Sequence, residues 1–180
     1  VMAALDAAIT DNTAGVIVET VQGEGGIRPL TADMLSHIRQ VCDAQGLLLI
    51  LDEVQCGVGR SGKLFAYETF GIEPDILASA KGLGGGFPIG ACLVSEKVGQ
   101  HMVLGTHGST FGGNPLAAAV GNAVLDLVFE PGLLENVQKQ AETLRVGLEE
   151  LVSECPAVLS KVSGLGLMIG ARCEIPNVEL

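Results

Sequence analysis

Apolar positions along the chain change their period several times, and each change marks an element. Val1, Met2, Leu5, Ala8 and Ile9 fall on one helical stripe. Gly15–Glu19 (GVIVE) is a short β-branched run closed by an acid, the pattern of a buried strand. After a glycine-rich loop, Thr31 stands as the N-cap of a helix carrying Met34, Leu35, Ile38, Val41 and Cys42 on one face, and Gly46 supplies its stop. Leu47–Leu51 is a continuous aliphatic run that meets Asp52, and Ile76–Ala78 and Gly90–Val94 are two further strand candidates. Asn114-Pro115 joins a cap to a first-turn proline and opens a long helix that breaks at Pro131-Gly132. A second helix carries Leu134, Val137, Leu144, Leu148, Leu151 and Val152 as far as Pro156, and Val158–Cys173 reads as irregular chain and strand.

Strands apolar on both faces that alternate with amphipathic helices predict an α/β fold, a mainly parallel sheet flanked by helices. In such sheets ligands bind beyond the carboxyl ends of the strands. Glu19, Asp52 and Lys81 fall there.

Composition narrows the function classes. At 180 residues the chain suits one domain or one and a fraction, and 48% apolar against 17% charged residues excludes a disordered chain. Twenty-one acids against ten bases leave a net charge of −11, which argues against nucleic acid and against an anionic membrane surface. No run of about 18 apolar residues and no basic leader is present, so neither a membrane span nor a signal peptide is expected. The five cysteines (Cys42, Cys56, Cys92, Cys155, Cys173) are odd in number and never form CxxC, which predicts reduced thiols in a cytoplasmic protein with no disulfide framework or zinc site. The histidines form no metal set either: His37 and His101 read as solvated, and His107 as a loop hydrogen bonder or a ligand contact.

The 25 glycines cluster between apolar runs, where backbone must turn tightly or approach a ligand. Gly57–Gly62 satisfies GxGxxG, but it does not follow a strand directly, and the acid expected about 20 residues downstream of a dinucleotide fingerprint is missing. The same stretch reads GxxxxGK, and LLLILDE (Leu47–Glu53) resembles a Walker B strand. A P-loop is excluded because Leu64 stands where a Ser or Thr hydroxyl must ligate magnesium, and because one strand would have to supply both motifs. Ser109 with His107 lacks the elbow of a nucleophilic serine.

Asp52 ends a strand, Gln55 follows, and Lys81 precedes Gly82–Gly86. A carboxylate in apolar surroundings needs a cationic partner, and a lysine followed by glycines is open to a ligand. Spacing leaves two readings even. Either Asp52 and Lys81 form a partly buried ion pair, or Lys81 holds an aldehyde cofactor as an imine while Asp52 pairs with its protonated ring nitrogen.

The strings ETVQGEGG (Glu19–Gly26), LDEVQCGVGR (Leu51–Arg60), PDILASAKGLGGGFPIG (Pro74–Gly90) and GTHGSTFGGNP (Gly105–Pro115) resemble, in content, order and separation, the fold-type I, class III aminotransferases that use pyridoxal 5'-phosphate. Within the class, GKLFAYETFGIEPDI, GGGFPIGACL and THGSTFGGNPLA look most like the acetylornithine branch, with ornithine, succinylornithine and 4-aminobutyrate enzymes sharing the frame. The resemblance implies an enzyme that moves an amino group from a small amino donor to 2-oxoglutarate. Lys81 aligns with the lysine that binds the cofactor aldehyde and shuttles the proton, and Asp52 with the acid that keeps the ring nitrogen protonated. Val54 would pack on the ring, Gln55 would hydrogen-bond its phenolic oxygen, and Glu53 belongs to the same binding strip. Ser109 and Thr110 match a segment that crosses a homodimer interface, Thr110 to the partner's cofactor phosphate and Ser109 near substrate. Glu24 matches a glutamate at the substrate site, and Glu19 would order the strand ends.

Residues 1–130 are then expected to form part of a cofactor-binding large domain, and 131–180 the connecting helix and the start of a small α+β domain. The family is longer than this chain, so a fragment lacking the phosphate cup and the carboxylate-gripping arginine is expected. A non-catalytic α/β remnant is the reading from another class. One departure stands out: the family's Arg-Gly-x-Gly-Leu-Met reads SGLGLM here, with Ser163 in place of the arginine.

Overall fold

The computed structural model describes residues 1–176; the chain end Asn177–Leu180, whose sequence carries no turn or cap signal, lies outside the described residues. The chain opens with α1 (Met2–Ala8) and β1 (Gly15–Glu19), then makes a small antiparallel ribbon of β2 (Val21–Gln22) and β3 (Arg28–Pro29). The next helix, α2 (Ala32–Gln45), begins where Thr31 Oγ1 accepts the Met34 N–H at 3.2 Å and ends on Gly46 at φ 70°. Its buried residues, Leu35, Ile38 and Cys42, meet Leu49 and Leu51 of β4 (Leu48–Asp52) in the main core, together with Leu47 and Ile72.

β5 (Ile76–Ser79) and β6 (Ala91–Val94) complete a sheet of order β1-β4-β5-β6. β1, β4 and β5 run parallel, and β6 is antiparallel at the edge. The sheet is therefore mainly parallel, as the sequence predicts. Its two faces differ more than the sequence suggests. One side packs on α2, whereas the row Ile17, Ile50, Ile76 and Val94 ends in exposed side chains at both edges.

A short turn of helix, α3 (Glu96–Gly99), precedes a surface segment in which every residue from His101 to Thr110 is exposed. Asn114 Oδ1 accepts the Ala117 N–H at 2.9 Å and Pro115 occupies the first turn, launching α4 (Pro115–Val128). Gly132, at φ 91°, starts α5 (Leu133–Glu154). Beyond it, the stretch read as irregular chain and strand is a regular hairpin of β7 (Leu159–Leu165) and β8 (Met168–Cys173). Its tight turn needs Gly166 at φ 57°, where a Cβ would lie 2.4 Å from the Ser61 carbonyl carbon. The Leu167 N–H donates to the Arg60 carbonyl beside it (2.9 Å), so the hairpin docks on the loop after β4. No single described helix is long and apolar enough to cross a membrane.

Candidate active site

The parallel register sets Glu19 beside Asp52 and Asp52 beside Ala78, and Lys81 follows three residues later in the same direction. The carboxyl ends of three neighbouring strands thus gather the three residues the sequence singled out. Among the described residues there is no Asp52–Lys81 ion pair. Asp52 Oδ1 accepts the Val54 N–H at 3.0 Å, which fixes the carboxylate, while Oδ2 makes no hydrogen bond among the described residues. Lys81 is exposed and sits at φ 45°, a backbone conformation uncommon outside glycine. Such strain collects where structure around a site over-determines it. The turn bearing Lys81 rests on α4, where a Cβ on Gly85 would lie 3.1 Å from Val124 Cγ2.

Gln55 is half-buried, and its amide has no hydrogen bond among the described residues. Its side chain lies against Gly23, whose N–H donates to Glu19 Oε2 at 2.9 Å. Glu19 therefore orders the loop between β1 and α2, with Glu24 exposed near its apex. Val54 is half-buried between Asp52 and Gln55.

Glu53 points elsewhere. It is 0% exposed, and its carboxylate accepts four hydrogen bonds, from Thr20 Oγ1 (3.0 Å), Cys56 Sγ (3.1 Å), Ala66 N (2.9 Å) and Tyr67 N (2.9 Å). With its oxygens taken, Glu53 braces the chain on either side of the binding strip and offers nothing to a ligand. Burial, reinforced by the Glu53 charge, pushes the Cys56 thiol far up from its ordinary range, so Cys56 is an un-ionised donor. This cluster is not legible from the sequence, because Thr20, Ala66 and Tyr67 reach Glu53 from distant positions.

Among the described residues no hydrogen bond ties Ser109 or Thr110 to Lys81 or to the Asp52 cluster: Ser109 Oγ accepts the Gly112 N–H at 2.9 Å, and the Thr110 hydroxyl makes no hydrogen bond. His107 is exposed there and makes no side-chain hydrogen bond among the described residues, and His37 is paired with Asp6 at 2.7 Å rather than free in solvent. Gly57–Gly62 forms turns followed by a short 3-10 helix at Ala66–Phe70, not the strand–loop–helix of a phosphate-binding loop.

The family model of the class III aminotransferases matches residues 1–179. The chain belongs to the class III aminotransferases. It is 55% identical over 177 residues to the acetylornithine aminotransferase of Mesorhizobium japonicum and 56% identical over 178 residues to that of Brucella melitensis, alignments covering 98% and 99% of this chain and 44% of each relative. The crystal structure of N-acetylornithine aminotransferase from Stenotrophomonas maltophilia superimposes with a TM-score of 0.86 at 39% identity, covering 97% of this chain and 45% of that one. Ornithine delta-aminotransferase of Plasmodium falciparum gives 0.89 at 35%, covering 97% of this chain and 46% of its own. The chain thus spans less than half the length of the relatives it matches. In this class III aminotransferase chain the ends of β1, β4 and β5 bring Glu19, Asp52 and Lys81 to one edge of the sheet.

Proposed function

We propose that the protein to which this chain belongs is a pyridoxal-phosphate-dependent acetylornithine aminotransferase, moving the δ-amino group of N2-acetylornithine to 2-oxoglutarate. One observation carries the reading. An exposed Lys81 without an ion-pair partner stands past β5, next to the β4 end where Asp52 keeps one oxygen free of hydrogen bonds among the described residues. The donor set fits the cofactor: a carboxylate oxygen for a ring N–H, an uncommitted amide at Gln55 for a phenolic oxygen, and an amine for an aldehyde. The identity to acetylornithine aminotransferases over nearly the whole chain supports this branch.

When bound, pyridoxal phosphate supplies an aldehyde for amines and a ring that draws electrons from the carbon losing its proton. Asp52 holds the proton on the ring nitrogen, its orientation set by the Val54 amide. Lys81 Nζ takes the proton from the substrate carbon and returns it on the cofactor side. Val54 excludes water from one ring face, Gln55 orients the phenolic oxygen, and Glu53 holds both residues in place from beneath. Glu24 lies on the loop that meets the substrate.

Residues 1–130 belong to the large domain and 131–180 lead into the small one. Ser109 and Thr110 act across a homodimer in the cytoplasm, Thr110 on the partner's cofactor phosphate. The exposed loop carrying them supports this, as do Leu104, Phe111 and Leu116 facing solvent around it. The test is a donor panel on the full-length protein with 2-oxoglutarate as acceptor. The reading expects N2-acetylornithine to give the highest kcat/KM. Preference for ornithine, N2-succinylornithine or 4-aminobutyrate would reassign the substrate, and no transamination with any donor would overturn the enzyme reading.

A further inference from the structure

The longest-range side-chain hydrogen bond at the site was not legible in the sequence. Ser163 Oγ, on β7, donates to the Ile27 carbonyl at 2.7 Å across 136 positions. Ile27 closes the loop that carries Glu24 and Gly23. It holds φ 48°, a genuine outlier for a β-branched residue, which persists only where neighbours impose it. Those neighbours are identifiable. Gly170 pairs with Ser163 across the hairpin, and a Cβ there would meet Ile27 Cγ1 at 3.0 Å, so the bare glycine gives Ile27 room for its seat. Arg145 of α5 donates to the Gly164 carbonyl at 3.0 Å and holds the next residue of β7 in place. At the other end of the loop, the Gly26 N–H closes a turn on the Gly23 carbonyl (3.0 Å), and Gly23 is held by Glu19 against Gln55.

We propose that Ser163 is a positioning residue for the amino-donor site. The hairpin reaches from the C-terminal part of the chain to grip the Ile27 carbonyl, and that grip holds the Gly23–Ile27 loop in its strained form, with Glu24 presented to the substrate and Gly23 laid on Gln55. Ser163 itself touches no substrate. This assignment rests on the transaminase reading for its kinetic consequence and on geometry alone for its structural one.

The experiment compares Ser163→Ala and Ser163→Thr with the wild type in the full-length protein, by hydrogen exchange and by kinetics with N2-acetylornithine. Loss of one neutral hydrogen bond predicts about five-fold faster exchange of the Gly23–Ile27 amides in Ser163→Ala, and a similar rise in KM with kcat little changed. Ser163→Thr, which keeps the hydroxyl, restores both. Unaltered exchange in that loop overturns the clamp. Faster exchange with an unchanged KM overturns the positioning role while leaving the clamp standing. If no donor is turned over by the wild type, the transaminase reading fails, and the positioning role with it, while the exchange arm still decides the clamp.

Discussion

The side chain of Gln55 lies flat on the backbone of Gly23, so close that a Cβ on Gly23 would stand 1.6 Å from Gln55 Oε1. Neither residue accounts for the other in sequence; the contact exists because Glu19 pulls the Gly23 amide down at 2.9 Å. Gly23→Ala must expel the Gln55 amide from its position. Losing one hydrogen bond to a charged oxygen predicts a cofactor affinity about tenfold weaker. Titration of the apo enzyme with pyridoxal phosphate checks this, and wild-type affinity would remove Gln55 from the binding set.

Glu53 is the second place where a small change should tell. Replacing its carboxylate by the Glu53→Ala methyl leaves the Thr20, Cys56, Ala66 and Tyr67 donors without their acceptor in a buried site. The expected loss is about 3 kcal/mol or more, read as a lower urea midpoint of the full-length protein. Turnover in the fraction that stays folded should fall less than for Asp52→Asn, since Glu53 supports the strip without touching the ligand.

Acid should weaken the fold through Asp75. Burial raises its carboxyl, but the Leu49 N–H (2.8 Å) and the Arg39 guanidinium (2.9 Å) outweigh that and hold it below the ordinary carboxylate value. With the folded value depressed, the unfolded chain takes up the proton first. The stabilisation is complete above the unfolded value of about 3.9 and disappears as pH falls through the folded one. Urea midpoints measured from pH 7 downward should drop in this window, and Asp75→Asn should start lower and flatten the drop.

What the sequence disclosed, and what it did not, follows the range of the interactions. Thr31, Gly46, Asn114 and Pro115 act on neighbours within a turn, so their helix ends are legible from the residues themselves. Asp52 and Lys81 end apolar runs, and the register of a parallel sheet does the rest. The β7–β8 hairpin was hidden because its turn depends on Gly164 and Gly166 at positive φ and on the close approach of Gly166 to Ser61. The Glu53 cluster and the Ser163–Ile27 bond join residues far apart in the chain, which no local period encodes.

Assembly offers an independent check. If Thr110 serves the partner's cofactor, mixing Lys81→Ala and Thr110→Ala protomers yields heterodimers with one intact and one doubly damaged site. After verified subunit exchange, activity should exceed the mean of the two parents. Activity equal to that mean would place Thr110 in its own subunit's site.

Whether Lys81 binds the cofactor aldehyde is decided by borohydride reduction of the full-length holoenzyme followed by peptide mapping. The pyridoxyl label is expected on the peptide carrying Lys81 and is expected to be lost in Lys81→Ala. A label on Lys63 or Lys97 instead would contradict it.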